Sequence, residues 1–362
     1  MAVAGEMVGI HATDPASVYL GMLARVSDFS RTDMARALYD ERSLLKILGM
    51  RRTMFVVPSD LAGVVNAAVT RALGAAERRR LLEWLPAAEV GDDPAGWLDR
   101  VETETVACLH ELGAATASEL TRRVPGLRVQ IPFGEGKKWA GRVGVSTRLL
   151  FLLATEGRII RGRPRGSWLS SMYAWAPIDH WVPGGLSEPP VEEAEAELVR
   201  RWLRTFGPGT RRDIQWWTGW TVATTKRGLA AVGAVEVALD GGTGYALPED
   251  FEPSPDAGPW VALTPALDTT MMGWNEREWY LGNHGPRLFD RNGNAGPAVW
   301  ADGRVVGGWA QRGSGELITR LFEDVGREMH HAIDTEAERV RGFIGDSRIV
   351  PRFRTPTEVD LS

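Results

Sequence analysis

The spacing of apolar and polar positions predicts the clearest group of elements between residues 101 and 177. Apolar residues recur at helical intervals over residues 101–112, 116–124 and 146–156, and Thr116 or Ser118 is placed to cap the second helix. Residues 158–177 then predict two strands joined by a basic loop that contains Gly and Pro. Three helices followed by a hairpin are the order of a winged helix, so this region is predicted to bind DNA.

The same order recurs on both sides of this module. On the C-terminal side, helices are predicted over residues 191–206, 209–217 and 221–231, followed by a hairpin over 234–247. On the N-terminal side the pattern is weaker, with helices over 17–25, 30–38 and 41–48, a strand over 53–57, and mostly helix over 59–89. We therefore infer three related modules in tandem.

After residue 258 the predicted secondary structure changes from helices to short strands and Gly-rich turns. Strands are predicted over residues 260–263, 297–300, 304–309 and 316–322, with Asp302 and Gly303 as a hairpin turn and a helix over 334–344 before an extended tail. The predicted fold class is α+β, mainly α, with three tandem winged-helix modules followed by a small β-rich partial barrel. The domains would be 1–90, 98–180, 190–248 and 258–362, the first carrying a motif helix, with a linker at 91–96.

Charge supports nucleic-acid binding by the central module. Eleven Lys and Arg against two acids give residues 120–170 a charge of +9, whereas the whole chain carries −5, which leaves −14 elsewhere. Such a local cationic excess is typical of a phosphate-binding surface. The alternative is a solvated surface whose cations meet acids from neighbouring segments. The candidate DNA contacts are Arg51, Arg52, Lys137, Lys138, Arg142, Arg161, Arg163 and Arg165; for Arg51 and Arg52, pairing with Asp40 and Glu41 is the alternative.

Composition sets the remaining limits. The 362 residues, 44% hydrophobic and 25% charged, predict a folded globular protein of several domains. The single cysteine, Cys108, excludes an internal disulfide and is predicted to lie in the core. No apolar run is long enough to span a membrane, so we expect a cytoplasmic, nucleoid-associated protein without a membrane partner. His330 and His331 are weak metal candidates, and no metal site is predicted.

Several motifs together resemble a known family, the bacterial tandem winged-helix DNA glycosylases of the AlkZ/YcaQ-like type. The resemblance covers nearly the whole chain and rests on six segments: HATDP at 11–15, GMRRT at 49–53, RGRPRGSW at 161–168, WWTGW at 216–220, PALD at 265–268 and LFDRNGNAGP at 288–297. It implies three winged helices and a β-barrel that close around duplex DNA, and excision of alkylated purines, including N7-guanine adducts and interstrand crosslinks. Members hold the attacking water with a Gln-x-Gln or Gln-x-Asp motif, whose positions are His11 and Thr13 in this chain.

The chemistry that this motif would need is modest. An N7-alkylated purine is already a good leaving group, so the enzyme must place a water and stabilise an oxocarbenium-like sugar. The ordinary pKa of imidazole suits His11 as general base, and the Thr13 hydroxyl can orient the water. Asp14 supplies a nearby carboxylate and is a weaker catalytic candidate than His11 and Thr13. The alternative is that His11 and Thr13 are interior polar residues, with Thr13 or Asp14 capping the helix that Pro15 begins.

The predicted function is therefore a monofunctional DNA glycosylase that acts on N-alkylated purines in duplex DNA, as a monomer and without metal or organic cofactor. The motif has no lysine for a Schiff base, which argues against a lyase step. Asp268 is predicted to be a catalytic-cleft or structural residue rather than a metal ligand. Trp216, Trp217 and Trp220 are interpreted as core residues of the third module; the alternative is that one of them, with Trp216 and Trp220 as the cleft candidates, wedges beside an opened base pair. The competing hypothesis is a non-catalytic winged-helix DNA-binding protein or transcriptional regulator.

Overall fold

The structure is a computed structural model that describes residues 2–133, 140–252, 256–351 and 354–362. The chain divides into two compact units, one formed by residues 1–36 with 196–362 and the other by residues 37–195. We describe each unit by itself. The finer division into four domains stays a prediction.

The N-terminal segment contributes four short elements to the first unit: α1 (Ala2–Glu6), β1 (Ile10–His11), α2 (Pro15–Leu23) and α3 (Arg31–Ala35). Asp14 caps α2 by accepting a hydrogen bond from the Ala16 backbone N–H at 2.8 Å, and Pro15 occupies the first helical position. Ser30 and Asp33 form a capping box at the start of α3, as the predicted helix over 30–38 requires.

The second unit alternates helices with hairpins. Its elements are β2 (Leu44–Leu48), β3 (Met54–Pro58), α4 (Ser59–Val65), α5 (Arg71–Trp84), α6 (Pro94–Leu112), α7 (Ala117–Arg123), β4 (Gln130–Phe133), β5 (Gly141–Gly144), α8 (Val145–Thr155), β6 (Ile159–Pro164), β7 (Tyr173–Pro177) and α9 (Ile178–Trp181). Three antiparallel pairs, β2 with β3, β4 with β5 and β6 with β7, connect these helices.

The core of the second unit lies between α6, α7, α8 and the β6–β7 hairpin. Leu109, Leu120, Leu149 and Leu153 are fully buried there, and Trp175 of β7 packs with them. Cys108 belongs to the same cluster, so the prediction that it is a core residue is confirmed. The helices over 101–112, 116–124 and 146–156 and the hairpin that follows them are confirmed, although α6 begins earlier, at Pro94.

The first unit resumes within α10 (Val191–Phe206), whose residues from 196 onward belong to it. It continues with α11 (Arg211–Thr218), α12 (Val222–Ala231), β8 (Val235–Leu239), β9 (Gly242–Ala246), β10 (Val261–Thr264), α13 (Glu278–Leu281), α14 (Gly285–Leu288), β11 (Ala298–Ala301), β12 (Arg304–Gln311), β13 (Leu317–Leu321), α15 (Arg327–Ile344) and α16 (Pro356–Leu361). The predicted helices and hairpin between 191 and 247 are confirmed.

Four strands of the first unit form one antiparallel sheet in the order β10, β11, β12, β13. All four were predicted, and Asp302 and Gly303 make the turn between β11 and β12 with positive φ angles of 46° and 82°. Positive φ at both central residues is the requirement of the tight hairpin turn that an Asp-Gly pair favours. The prediction that this four-stranded sheet is part of a barrel stays untested.

Four predictions about local structure are wrong. Residues 41–48 hold no helix but strand β2, because β3 pairs with it along its full length. The proposed linker at 91–96 contains the start of α6, capped by Asp93. The tail after residue 344 is not wholly extended, since α16 lies in it with a capping box at Thr355. The N-terminal motif is not helical, because β1 ends at His11 and α2 begins only at Pro15.

Candidate functional site

The N-terminal motif spans a short strand and a bend rather than one helical face. His11 ends β1 and is 3% exposed, whereas Thr13 is exposed on the bend that leads to α2. Asp14 is half-buried and its carboxylate is used as the cap of α2. The backbone enters β1 through Val8 and Gly9, both with positive φ, so the approach to His11 is a tight turn. The three residues thus differ sharply in solvent access.

A loop at residues 265–270, which includes the PALD segment, fixes the backbone of this motif. The Thr269 hydroxyl accepts a hydrogen bond from the His11 backbone N–H at 3.0 Å and donates to the Gly9 carbonyl at 3.3 Å. Ser17 of α2 donates to the Ala266 carbonyl at 2.5 Å. Two segments that are more than 240 residues apart in sequence are therefore joined by buried hydrogen bonds, which are costly to leave unmade.

Asp268 of the same loop is held by an arginine. Both of its carboxylate oxygens accept from Arg25, at 2.7 and 2.8 Å, and Oδ1 also accepts from the Thr270 backbone N–H. Asp268 is 2% exposed. Burial opposes the charge of Arg25, but Asp268 outweighs it and raises the pKa of the guanidinium. The observed role of Asp268 is thus to anchor Arg25, which also donates to the Gly21 carbonyl.

The three tryptophans at 216, 217 and 220 differ in environment. Trp217 is buried and packs near Phe206, as expected of a core residue. Trp216 is half-buried, and the guanidinium of Arg277 lies 4.9 Å from its ring centroid. Trp220 is half-buried just beyond the end of α11. The prediction that all three belong to the core therefore holds fully only for Trp217.

In the second unit, the arginines of the β6–β7 hairpin have three different surroundings. Arg161 lies over the rings of Tyr173 and Trp175, at 4.1 and 5.4 Å from their centroids, and burial lowers its pKa. Arg163 and Arg165 are about half exposed, at 54% and 53%. Arg163 pairs with Asp40 and Arg165 with Glu119. These two present charge to solvent, whereas Arg161 faces inward.

The turn between β2 and β3 carries the other predicted arginine pair. Arg51 and Arg52 both have left-handed backbones, with φ of 51° and 61°. For residues other than Gly each such conformation costs roughly 1–2 kcal/mol. Arg52 pairs with Glu77 at 3.5 Å, not with Asp40, whose carboxylate meets Arg163. Consecutive strained residues of this kind concentrate at functional sites.

Buried acids organise much of the positive surface. Glu77, which is 2% exposed, pairs with Arg52, Arg80 and Arg148, and Glu102, at 3%, pairs with Arg78 and Arg158. The alternative interpretation of the basic segment therefore holds for Arg148 and Arg158, whose charges meet acids from other elements. Phosphate binding by the segment stays a prediction. The two acids are buried, whereas the arginine side chains that pair with them are 30–45% exposed.

The remaining predicted contacts are accounted for as follows. Arg142 of β5 is exposed and donates to the Gln130 carbonyl. Lys137 and Lys138 lie outside the described residues. His330 and His331 are exposed on α15, and His330 lies 3.3 Å from Asp334.

Two groupings in the second unit were not foreseen from the sequence. His110, Asp179 and His180 come together on the surface, with the two imidazoles 3.2 Å apart at their nearest nitrogens. A cleft of about 470 Å³ is lined by cations and aromatic rings, among them Lys46 and Arg148. The residues of both groups are scattered along the chain, so only the tertiary structure brings them together.

The candidate residues thus comprise exposed arginines on the β6–β7 hairpin and a motif whose backbone is fixed by the 265–270 loop. The family described as DNA glycosylase AlkZ-like matches residues 4–343, and the chain belongs to it. The structure is similar to that of Streptomyces sahachiroi DNA glycosylase AlkZ, with a TM-score of 0.71 and 21% sequence identity over 96% of this chain and 92% of that one. At that identity the likeness shows the fold. No curated protein sequence matches the chain.

In the described part of the chain, none of the helices combines the length and apolar character needed to cross a membrane.

Proposed function

We propose that this protein is a monofunctional DNA glycosylase that hydrolyses the N-glycosidic bond of N7-substituted purines in duplex DNA. The single observation that carries the proposal is membership, over residues 4–343, of a family of DNA glycosylases. The protein would act as a monomer in the cytoplasm, on the nucleoid. No metal or organic cofactor is required for the reaction.

Duplex binding is assigned to winged-helix modules. Helices α6, α7 and α8 with the β6–β7 hairpin form one, and α10, α11 and α12 with the β8–β9 hairpin form another. In such a module one helix approaches a groove while the hairpin contacts the backbone of the duplex. Arg163 and Arg165 are exposed at the hairpin and supply the phosphate contacts. Arg51, Arg52 and Arg142 add positive charge on the same unit.

The chemical step is assigned to the motif at the end of β1. A cationic purine leaves readily, so the protein has to position a water and stabilise the sugar as positive charge develops. In the proposal, His11 accepts a proton from the water and Thr13 orients it. The hydrogen bonds from the 265–270 loop support this assignment, because they fix the backbone at Gly9 and His11, directly before Thr13. Asp14 is committed to the α2 cap and contributes negative charge from a distance.

A single-turnover excision assay tests the proposal. The substrate is a duplex oligonucleotide with one N7-methylguanine or one bulkier N7 adduct, and the product is the abasic site. We expect product with the wild-type protein and none with His11→Ala/Thr13→Ala. Absence of product on both adducts by a protein that still binds duplex would contradict the proposed activity.

One observation favours a second candidate, a DNA-binding protein without catalysis. His11 is 3% exposed, which suits a packing residue at least as well as a general base that must reach water. In that case the duplex affinity of the double variant would equal that of the wild type, and neither protein would release a base. The excision assay separates the two candidates.

A further inference from the structure

The second unit contains a cleft that the proposed excision chemistry does not use. Its volume is about 470 Å³, within the roughly 300–1,000 Å³ range of small-molecule sites. Its walls come from β2, the β2–β3 turn, α8, β6 and β7, all within one unit. We call it the arginine cleft, because its charged lining consists of Lys46, Arg52, Arg148 and Arg161.

The charged residues that line this cleft are all cations. Among the residues that the structure describes, no Asp or Glu lines it. Glu77, a buried acid outside the lining, pairs with Arg52 at 3.5 Å and with Arg148 at 3.1 Å. One buried acid therefore orients two of the guanidinium groups that line the cleft. A cleft of this kind favours an anionic ligand.

Arg161 is the most informative of these cations. Its guanidinium lies against Tyr173 and Trp175, and burial lowers its pKa. Its Nε is buried and, within the described ranges, has no hydrogen-bond partner. A buried donor without a partner costs free energy. An anion in the cleft would supply the missing acceptor.

Most of the other lining residues are apolar, and Asn66, Thr70 and Thr147 add polar groups. Phe151, Tyr173 and Trp175 contribute aromatic rings. The guanidinium of Arg52 lies over the Phe151 ring, 5.2 Å from its centroid, so a cation and an aromatic ring are in contact within the cleft. Guanidinium groups bind phosphate with two parallel hydrogen bonds, and aromatic side chains stack on unpaired bases. The lining thus combines the two contacts that recognise a nucleotide.

We propose that the arginine cleft binds a single unpaired nucleotide, with its phosphate on the arginines and its base on the aromatic side. The nucleotide is either free in solution or an unpaired residue of a bound strand; the recognising chemistry is the same. The site goes beyond the proposed glycosylase activity and does not depend on it, because its occupancy is measured without damaged DNA. Excision that fails while nucleotide binding persists would leave this proposal intact.

The test uses the full-length protein and calorimetric titration with 2′-deoxyguanosine 5′-monophosphate, 2′-deoxyguanosine and inorganic phosphate. A second arm compares a duplex containing one bulged nucleotide with the fully paired duplex by fluorescence anisotropy. The variant is Arg161→Gln, and the matched control is Arg100→Gln, which removes an exposed arginine of α6 outside the cleft. Arg161→Lys keeps the charge but not the planar fork, so it should restore only part of the binding.

We expect the monophosphate to bind at least about tenfold tighter than the nucleoside or phosphate, and Arg161→Gln to weaken it by about tenfold or more, as loss of a charged hydrogen bond does. That outcome would identify a free nucleotide as the ligand of the cleft. A preference for the bulged duplex that Arg161→Gln abolishes and Arg100→Gln retains would identify an unpaired nucleotide of a bound strand as the ligand. Inorganic phosphate binding as tightly as the monophosphate, no binding in either arm, or no effect of Arg161→Gln would overturn the proposal. If Arg161→Gln unfolds, Arg52→Gln at the solvent edge repeats the measurement.

Discussion

Arg165 and Glu119 form an ion pair that joins the β6–β7 hairpin to α7, with Nη2 2.7 Å from one carboxylate oxygen and 2.9 Å from the other. Glu119 also closes the capping box of α7. Hydrogen bonds from Thr116, first from its backbone, and then Arg165 lower the pKa of Glu119 to about 2. The carboxylate is therefore charged at neutral pH. A DNA phosphate that contacts Arg165 must compete with it.

Glu119→Gln should raise duplex affinity. The substitution removes the competing charge, while the Gln side-chain carbonyl can still accept the capping hydrogen bonds at the third helical position. Because exposed ion pairs are weak, the gain should be modest, at most about fivefold. Anisotropy with an undamaged duplex measures it. Glu111→Gln, which changes an exposed acid of α6, provides the same change in net charge, and an equal gain there would remove Arg165 from the interface.

Replacing Arg163 and Arg165 by Ala should have the opposite effect. Loss of two phosphate contacts weakens binding to all duplex sequences alike and makes the slope of log affinity against log salt shallower by about 1.8. Titrations at several salt concentrations supply this slope. Arg71→Ala/Arg100→Ala removes two other exposed arginines of the same unit as the control. An unchanged slope in the hairpin variant would contradict the assignment of the hairpin to the backbone of the DNA.

The elements that the sequence predicted well have strong local signals. Thr116 with Glu119, and Thr210 with Asp213, form the capping boxes at which α7 and α11 begin. The run of leucines and isoleucine at 44–48 has no such signal, because an apolar segment of that length suits a strand or a buried helix equally. Its strand character depends on pairing with β3, which no local pattern encodes.

The candidate site was predictable only as a set of segments. The sequence singled out HATDP and PALD separately, but the hydrogen bonds that join Thr269 to His11 and Ala266 to Ser17 span about 250 residues. Arg25, which holds Asp268, lies in no motif and was missed. The arginine cleft was missed for the same reason, since its cations come from three separate parts of the chain: the β2–β3 hairpin, α8 and β6.

His11→Ala should lower the single-turnover excision rate by at least about 10²-fold, the usual contribution of a general base. Ser17→Ala, which also removes a buried polar group next to the 265–270 loop, is the structural control. A loss below tenfold with an unchanged melting temperature would make His11 a packing residue.

Asp268→Asn should destabilise the fold rather than act on chemistry alone. The substitution leaves Arg25 buried without its carboxylate partner. Breaking a buried pair in this way costs roughly 3–5 kcal/mol. Chemical denaturation measures the loss, and Asp28→Asn, at an exposed position of the same unit, should have little effect. Arg25→Met added to Asp268→Asn should recover part of the stability, because no unpaired charge then remains.

Glu358 makes the stability of the first unit dependent on pH. Burial raises the pKa of its carboxyl above the usual value, against hydrogen bonds from the backbone and hydroxyl of Thr355, and the nearby charge of Asp14 raises it further. A carboxyl with a raised pKa prefers its protonated form in the folded state. It therefore favours folding at low pH and opposes it as the pH rises from about 4.5 through the raised value.

Glu358→Gln removes this dependence and keeps an acceptor for Thr355. We expect the free energy of unfolding of the variant to increase relative to that of the wild type as the pH rises from about 4.5 through the raised pKa of Glu358. Denaturation curves at several pH values give the difference. Glu328→Gln, at an exposed position on α15, should show no such trend. If the difference instead shrinks with rising pH, the hydrogen bonds from Thr355 outweigh burial. The folded state would then favour the ionised form of Glu358.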